Sequence, residues 1–116
     1  MKTLSKEEVK ENFAVAAALT LNKNVHDYRF EVLDTHTIGV YQHFNIAMSG
    51  EHTETSHDWA EKLVKSDLLT ADRIEKLKTH LNDLFNRTAH TLVTMTIIFL
   101  YDSRRFGFSI ILSEKK

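Results

Sequence analysis

Histidines and carboxylates are the side chains of this chain best suited to chemistry, and they are densest between 51 and 58. Seven histidines are many for 116 residues. That segment contains two of them and three acidic residues: Glu51, His52, Glu54, His57 and Asp58. Imidazole and carboxylate groups can bind a divalent cation. Their spacing fits no established zinc pattern, however, so we predict a polar connection with no metal and no cofactor.

The other candidate for chemistry is His43, which a hairpin would place beside Glu31 or Asp34. A histidine oriented by a carboxylate in a cleft can act as a general acid or base. A partly exposed sheet histidine is the simpler interpretation. No serine stands in a Gly-x-Ser-x-Gly turn, and no Gly-rich loop precedes a helix. We predict no catalytic residue, and keep a small enzyme or ligand binder with a His/carboxylate site as an alternative.

A basic and aromatic string, RRFGFSI, runs from 104 to 110. About six of its residues resemble the RNA-stacking motif of RRM domains, in which a basic residue precedes alternating aromatics on an exposed sheet face. The resemblance implies that Phe106 and Phe108 stack on bases. The string departs from the motif at Arg105, where the family has glycine, and at Ser109, where it has valine. Both phenylalanines also share a face with later apolar residues, so we expect them in the core.

This string leaves the pair Arg104 and Arg105 available at the tip of a hairpin. Two guanidinium groups on a protruding turn can bind a carboxylate or a phosphate bidentately. Together with Tyr41 and Arg29 they support an alternative function, that of a nucleic-acid-associated protein. The formal net charge of -1, from 15 basic and 16 acidic residues, provides no overall attraction to a polyanion. This alternative is therefore not favoured.

Helices and strands must position these side chains, and helical spacing begins near the N-terminus. Ser5 and Glu8 match a capping box, which predicts a helix over about 6–21. Its buried stripe is rich in small residues: Val9, Phe13, Ala16, Ala17 and Thr20. A short helix is predicted from Ser56, with three residues inward: Trp59, Leu63 and Val64. Thr70 caps a longer helix with an apolar stripe: Ile74, Leu77, Leu81, Leu84 and Phe85.

The period of two that is typical of strands first occurs after the N-terminal helix. It begins at Tyr28, stops in a turn at 34–37 and returns from 38 to 48, which predicts a hairpin. Gln42 is the one polar residue on the apolar face of the second strand. Gly39 indicates a bulge or a close backbone contact.

The second region of strand periodicity starts at His90. Residues 90–101 are apolar on both faces, which predicts a central strand. Val93 and Met95 are assigned to the helix-covered face and Leu92 to the opposite face. A turn at 102–105 follows, and alternating apolar residues over 106–112 predict the fourth strand.

The order of these elements predicts an α+β fold, a two-layer sandwich in which a four-stranded, mainly antiparallel sheet carries helices on one face. The element order is αββ-ααββ, and a single domain over 1–116 accommodates it. Sliding 22–49 onto 86–113 gives five identities. They suggest a duplication of an αββ unit with a pseudo-twofold relation between the halves.

Composition excludes several classes of protein. Hydrophobic residues make up 42% and charged residues 27%, as in ordinary globular domains. The absence of cysteine excludes disulfides, thiolate metal sites and cysteine nucleophiles, and is expected of a cytoplasmic protein. No targeting segment is visible, and the longest apolar stretch is far shorter than the ~20 residues of a membrane-spanning helix. We expect a soluble protein that does not enter a membrane.

These observations favour a non-catalytic protein-binding or regulatory module. One layer of helices covers one face of the sheet, so apolar residues of the other face would form an exposed patch. The predicted partner-binding residues are Tyr41, Leu92, Ile98, Leu100 and Ile111, with Leu33 beside them and Arg104 and Arg105 at the hairpin tip. We expect another protein, or a second copy of the chain in a homodimer, to cover this patch.

Overall fold

The computed structural model describes residues 3–21, 28–50, 70–100 and 105–115. They form α1 (Lys6–Leu21), β1 (Tyr28–Ile38), β2 (Tyr41–Gly50), α2 (Ala71–Asn86), β3 (His90–Leu100) and β4 (Arg105–Glu114). The short helix predicted around Trp59 lies outside these residues. Neither of the two described helices combines the length and the apolar character needed to cross a membrane.

α1 begins at the capping box formed by Ser5 and Glu8. The Ser5 hydroxyl accepts a hydrogen bond from the Glu8 N–H at 3.2 Å, and the Glu8 carboxylate accepts one from the Ser5 N–H at 3.3 Å. These bonds satisfy N–H groups that the start of a helix leaves without intrahelical partners. All five residues of the predicted stripe are buried, among them Val9, Phe13 and Ala16. The predicted helix and its buried side are confirmed.

α2 begins in a similar way at Thr70, whose hydroxyl accepts a hydrogen bond from the Arg73 N–H at 3.3 Å. Its predicted stripe faces the core, with three residues buried and two packed at the margin: Leu77, Leu81 and Phe85, then Ile74 and Leu84. α1 and α2 also pack against each other. The two helices therefore form one layer on one face of the sheet.

The four described strands form an antiparallel sheet with the order β1-β2-β4-β3. This confirms the α+β sandwich and both predicted hairpins. It contradicts the prediction that the segment from His90 is a central strand, because β3 lies at one edge of the sheet. The central strands are β2 and β4, which pair from Tyr41 opposite Ser113 to Met48 opposite Phe106.

The apolar sequence of β3 misled this prediction because apolar character does not by itself imply burial on both faces. Val93 and Ile97 are 50% and 36% exposed, although Met95 between them is buried. A β-bulge also interrupts the alternation, since the register shifts between Leu92 and Thr94. As a result Leu92 faces the helices and packs against the core, not on the opposite face as predicted.

The first hairpin turns later than predicted. The polar segment 34–37, predicted as the turn, is the exposed end of β1, and the turn is formed by Gly39 and Val40. Gly39 has a φ of 60°, which glycine adopts readily and which two-residue hairpin turns favour. A Cβ at Gly39 would meet nothing within 4 Å, so no close backbone contact occurs there. The bulge of this hairpin lies at Leu33 instead.

Gln42 is buried on the helix-covered face, where its side chain forms hydrogen bonds to the backbone of the segment that precedes α1. Its amide oxygen accepts a hydrogen bond from the Leu4 N–H at 3.0 Å, and its amide nitrogen donates to the Leu4 C=O at 2.9 Å. The side chain thus pairs with the Leu4 backbone as a neighbouring strand would. Leu4 itself is buried in the core. The same core contains Phe13, whose ring centroid is 5.2 Å from that of Phe30 and 5.0 Å from that of Phe108.

The two halves of the described chain share one layout. α1 and α2 have 16 residues each, β1 and β3 have 11, and β2 and β4 have 10. In the strand order β1-β2-β4-β3, each hairpin provides one edge strand and one central strand. Each edge strand contains a bulge. A common layout does not confirm the suggested sequence duplication, which stays a prediction.

Candidate functional site

The candidate site is the face of the sheet opposite α1 and α2, called the open face below. Successive side chains of a strand point to opposite faces, so the register assigns alternate residues to it. In the spatial order β1, β2, β4, β3, the described side chains of this face are Glu31, Asp34, His36 and Ile38; Tyr41, His43, Asn45 and Ala47; Ser109, Ile111 and Ser113; Thr91, Thr94, Thr96 and Ile98. Most of them are polar and uncharged.

A hydrogen bond between His43 and Ser109 lies at the middle of the open face. His43 in β2 is opposite Ile111 in β4, and its ring reaches diagonally to Ser109, with Nε2 2.5 Å from Oγ. Long side chains can contact such diagonal neighbours across antiparallel strands. Both residues are half-buried. An imidazole beside a hydroxyl is a pairing that can orient a ligand or activate a nucleophile.

Neither carboxylate predicted to orient His43 is directly opposite it. Asp34 is opposite Asn45, and Glu31 is opposite Ala47, still further along β1. His36 occupies the position opposite His43 because the two-residue turn fixes the register of the whole hairpin. The contact that the structure gives the His43 ring is therefore with a hydroxyl group, which sequence analysis did not anticipate.

The predicted apolar patch lies only partly on the open face. Tyr41 is exposed there, and Ile98 and Ile111 are half-buried there. Leu92 does not belong to it, because the bulge in β3 turns its side chain to the core. The side chain of Leu100 lies outside the part of the chain that the structure describes. The open face is thus a mixed surface with apolar points among polar groups.

An exposed apolar cluster does occur at the tip of the first hairpin. Ile38, Val40 and Tyr41 are 66%, 50% and 50% exposed. Ile38 and Tyr41 are a cross-strand pair at the end of the open face. Sequence analysis missed this cluster because it placed Ile38 and Val40 inside a strand. The signal available was Gly39 itself, since a glycine between two β-branched residues is better suited to a turn than to a strand.

The residues predicted to bind nucleic acid do not come together. Tyr41 is opposite Ser113 near one end of β4, whereas Arg105 begins β4 at its other end. At ~3.3 Å per residue, the intervening strand is about 26 Å long. Tyr41 and the start of β4 are too far apart to hold one nucleotide between them.

The RRM-like string is also interrupted by burial. Phe108 is 1% exposed, which confirms that it belongs to the core and removes it from any base-stacking surface. Arg104 and the side chain of Arg105 lie outside the described residues, as does the histidine and carboxylate segment 51–58. Within the described ranges, no group of three or more histidine, cysteine or acidic residues is arranged to hold a metal ion.

Sequence analysis did not single out most polar residues of the open face. It assigned no role to Asn45 in β2 or to Thr94 and Thr96 in β3, and it considered Ser109 in β4 only as a departure from the RRM motif. The signal was their alternation with buried residues, because polar side chains at every second position of a central strand mark one face of the sheet as open to solvent or to a partner. Only the register could show that these residues lie side by side.

A groove of about 500 Å³ separates α2 from β3 at the edge of the sheet. Its helix wall includes Lys78, Asn82 and Asp83, and its strand wall is formed by 92–96. Asn82 bridges the two walls, since its side-chain oxygen accepts a hydrogen bond from the Leu92 N–H at 3.1 Å. This groove and the open face both offer a partner polar and apolar contacts.

Comparison of the chain with protein-family models, with curated proteins and with solved structures finds no match.

Proposed function

We propose that this protein is a non-catalytic binding module that recognises another protein through its open face. The observation that carries the proposal is that α1 and α2 pack on the same face of the sheet, while the other face presents apolar points among hydroxyl, amide and imidazole groups. Tyr41 is exposed at its end, and Ile98 and Ile111 are half-buried within it. Protein interfaces have a similar composition, with aromatic and apolar anchors surrounded by polar contacts.

The near-zero net charge of the chain supports a protein partner that is bound through both polar and apolar contacts. A formal net charge of -1 supplies little long-range attraction to a polyanion, so binding would depend on short-range contacts and only weakly on salt. Acidic residues of the open face, Glu31 and Asp34, both belong to β1 at its edge. The lack of cysteine supports a reducing compartment such as the cytoplasm.

The test is affinity capture from native lysate with matched variants, read by quantitative mass spectrometry. Asn45→Arg places a long cation in the middle of the open face, and Glu11→Arg makes a comparable change on the exposed side of α1. We expect a partner that wild type and Glu11→Arg capture equally and that Asn45→Arg captures at least about tenfold less, a loss of ~1.4 kcal/mol. Equal capture by a folded Asn45→Arg would refute the role of the open face.

The hydrogen bond between His43 and Ser109 favours a second candidate, a small enzyme or ligand binder. A base within hydrogen-bond reach of a serine can raise its nucleophilicity. The test is labelling by a fluorophosphonate probe, which reacts with activated serines. Labelling that Ser109→Ala and His43→Ala both abolish would support this candidate over the binding module. A chain that stays unlabelled under conditions that label a serine hydrolase would exclude an activated Ser109.

A further inference from the structure

The two edges of the sheet differ in charge. β1 contains Arg29, Glu31 and Asp34, and charged residues keep an edge strand from pairing with another chain. β3 has no charged residue and no proline from Thr91 to Leu100. Such a sequence at an edge is a template for a further strand. The bulge at Val93 protects only the start of β3 and leaves a regular stretch after it.

The register shows which backbone groups of β3 point away from the sheet. Lys115 donates its N–H to the Ala89 C=O at 2.8 Å, so odd-numbered residues of β4 direct their backbone groups at β3. The β3 residues opposite 111, 109 and 107 are Thr94, Thr96 and Ile98. Met95 and Ile97, between them, therefore direct their N–H and C=O groups outward. The described part of the chain provides no backbone partner for these groups.

We propose that β3 pairs with β3 of a second copy of this chain, antiparallel across a twofold axis at Thr96. In this register Met95 of each copy is opposite Ile97 of the other, so the outward N–H and C=O groups bond to one another. Thr96, which is exposed, then faces Thr96 of the second copy, and Thr–Thr pairs are favourable neighbours across strands. The two four-stranded sheets become one sheet of eight strands.

The exposed side chain of Ile97 supports a second copy as the occupant. Ile97 is 36% exposed and lies, with the buried Met95, on the helix-covered face of β3. With the axis at Thr96, Met95 of the second copy lies beside Ile97, so the pairing buries apolar surface of both copies. The same contact occurs on each side of the axis and needs no third protein. Closed twofold dimers are also the commonest homo-oligomers.

This dimer differs from one formed through the open face. Edge pairing covers neither open face and joins the two side by side, so a dimer would present two binding surfaces to a partner. The proposal does not depend on whether the open face binds a protein. Its test measures self-association of the purified chain, and the capture experiment measures binding to another protein.

The first measurement is molar mass by light scattering at tens of micromolar. We expect wild type at about twice the chain mass of 13.4 kDa, and Thr96→Lys at the mass of one chain, because the twofold axis brings two lysines together. Thr37→Lys makes the same change on the exposed β1 edge and should remain a dimer. Thr94→Lys, also at an exposed position, repeats the test if Thr96→Lys does not fold. A wild type with the mass of one chain, or folded lysine variants of β3 that remain dimeric, would overturn the proposal.

The second measurement uses the absence of cysteine. In Thr96→Cys the two thiols would face each other in a non-hydrogen-bonded pair, where Cβ atoms lie ~4.5–5.5 Å apart and a disulfide can form with small adjustments. Mild oxidation should convert most of Thr96→Cys into a covalent dimer, and Thr37→Cys should remain mainly uncrosslinked. Equal crosslinking of the two variants would show that random collision, not β3 pairing, joins the chains.

Discussion

The first half of the described structure (α1, β1 and β2) and the second half (α2, β3 and β4) have elements of equal length but different side chains at matching positions. The eleventh residue of α1 is Ala16, and the eleventh residue of α2 is Leu81. The third residue of β2 is His43, and the third residue of β4 is Gly107. One backbone plan therefore serves two different packings and two different surfaces.

The halves also differ in the side-chain to backbone hydrogen bonds that join distant segments. In the first, Gln42 holds the backbone of Leu4. In the second, Asn82 holds the backbone of Leu92. In the first half, the bonds from Gln42 attach the segment before α1 to the sheet, and the edge strand β1 is charged. In the second half, the bond from Asn82 attaches the edge strand β3 to α2, and β3 is uncharged from Thr91 to Leu100. The layout thus follows from the periodicity of the chain, and the binding surfaces follow from side chains that differ between the halves.

The largest effect is expected at matching positions of the central strands. Gly107 lies so close to β2 that a Cβ there would overlap the carbonyl oxygen of Ile46. Gly107→Ala should therefore lower the free energy of unfolding by about 4 kcal/mol or prevent folding, since backbone atoms of a central strand cannot move aside. His43→Ala, at the matching position, should cost about 1 kcal/mol through its bond to Ser109.

Chemical denaturation at fixed protein concentration measures this difference, because self-association would otherwise change the apparent stability. Similar losses for Gly107→Ala and His43→Ala would contradict the close approach of β2 and β4 at Gly107.

The helices, the hairpins and the sandwich could be predicted because each depends on local signals. A capping box at Ser5 and a buried stripe through Phe13 need no knowledge of distant residues. The strand order could not be predicted in the same way. Whether β3 or β4 lies inside depends on which hairpin strands meet, and the apolar composition of β3 suits a central strand as well as an uncharged edge.

A smaller difference is expected between the helices. Leu81 and Ala16 are both fully buried, so exchanging their sizes tests whether each half is packed for its own side chain. Leu81→Ala should cost about 3 kcal/mol by leaving a cavity. Ala16→Leu should cost about 2 kcal/mol by overpacking a position where Ala16 is already fully buried. Thermal and denaturant unfolding measure both, and a neutral Ala16→Leu would show that α1 has spare room.

The hydrogen bonds between Gln42 and the Leu4 backbone should contribute about as much to the free energy of unfolding. Gln42→Leu removes both bonds to the Leu4 backbone and leaves a buried N–H and C=O without these partners, so we expect a loss of about 2 kcal/mol. Hydrogen exchange should quicken at the Leu4 amide and the start of α1, with α2 unchanged. Thr35→Val is the matched control, since it removes only the 3.4 Å contact between Thr35 and the Gln42 amide. If exchange rises equally in both helices, Gln42 supports the whole fold and not the N-terminal segment.

The candidate site was predicted less well than the fold, and the reason is register. Tyr41, Ile98 and Ile111 were placed on the open face from alternation alone. Leu92 was misplaced because a bulge reverses the alternation after it, and no residue type marks that bulge in the sequence. The contact between His43 and Ser109 joins strands from different halves, so it depends on a pairing that local patterns do not specify.

The smallest difference is expected at the two bulges, where each edge strand is contacted from the helix layer. Asn82 accepts a hydrogen bond from the Leu92 N–H at 3.1 Å in a partly buried position, whereas Lys6 donates to the Leu33 C=O at 3.4 Å in an exposed one. Asn82→Ala should cost about 1 kcal/mol, because the Leu92 N–H loses this acceptor. Lys6→Met should cost only a few tenths of a kcal/mol, because water can replace the ammonium group.

Asn82→Asp keeps an acceptor oxygen and should retain most of the stability, which separates the hydrogen bond from side-chain packing. Denaturant unfolding of the three variants decides the matter: equal losses for Asn82→Ala and Asn82→Asp would show that the bond to Leu92 does not hold β3 against α2.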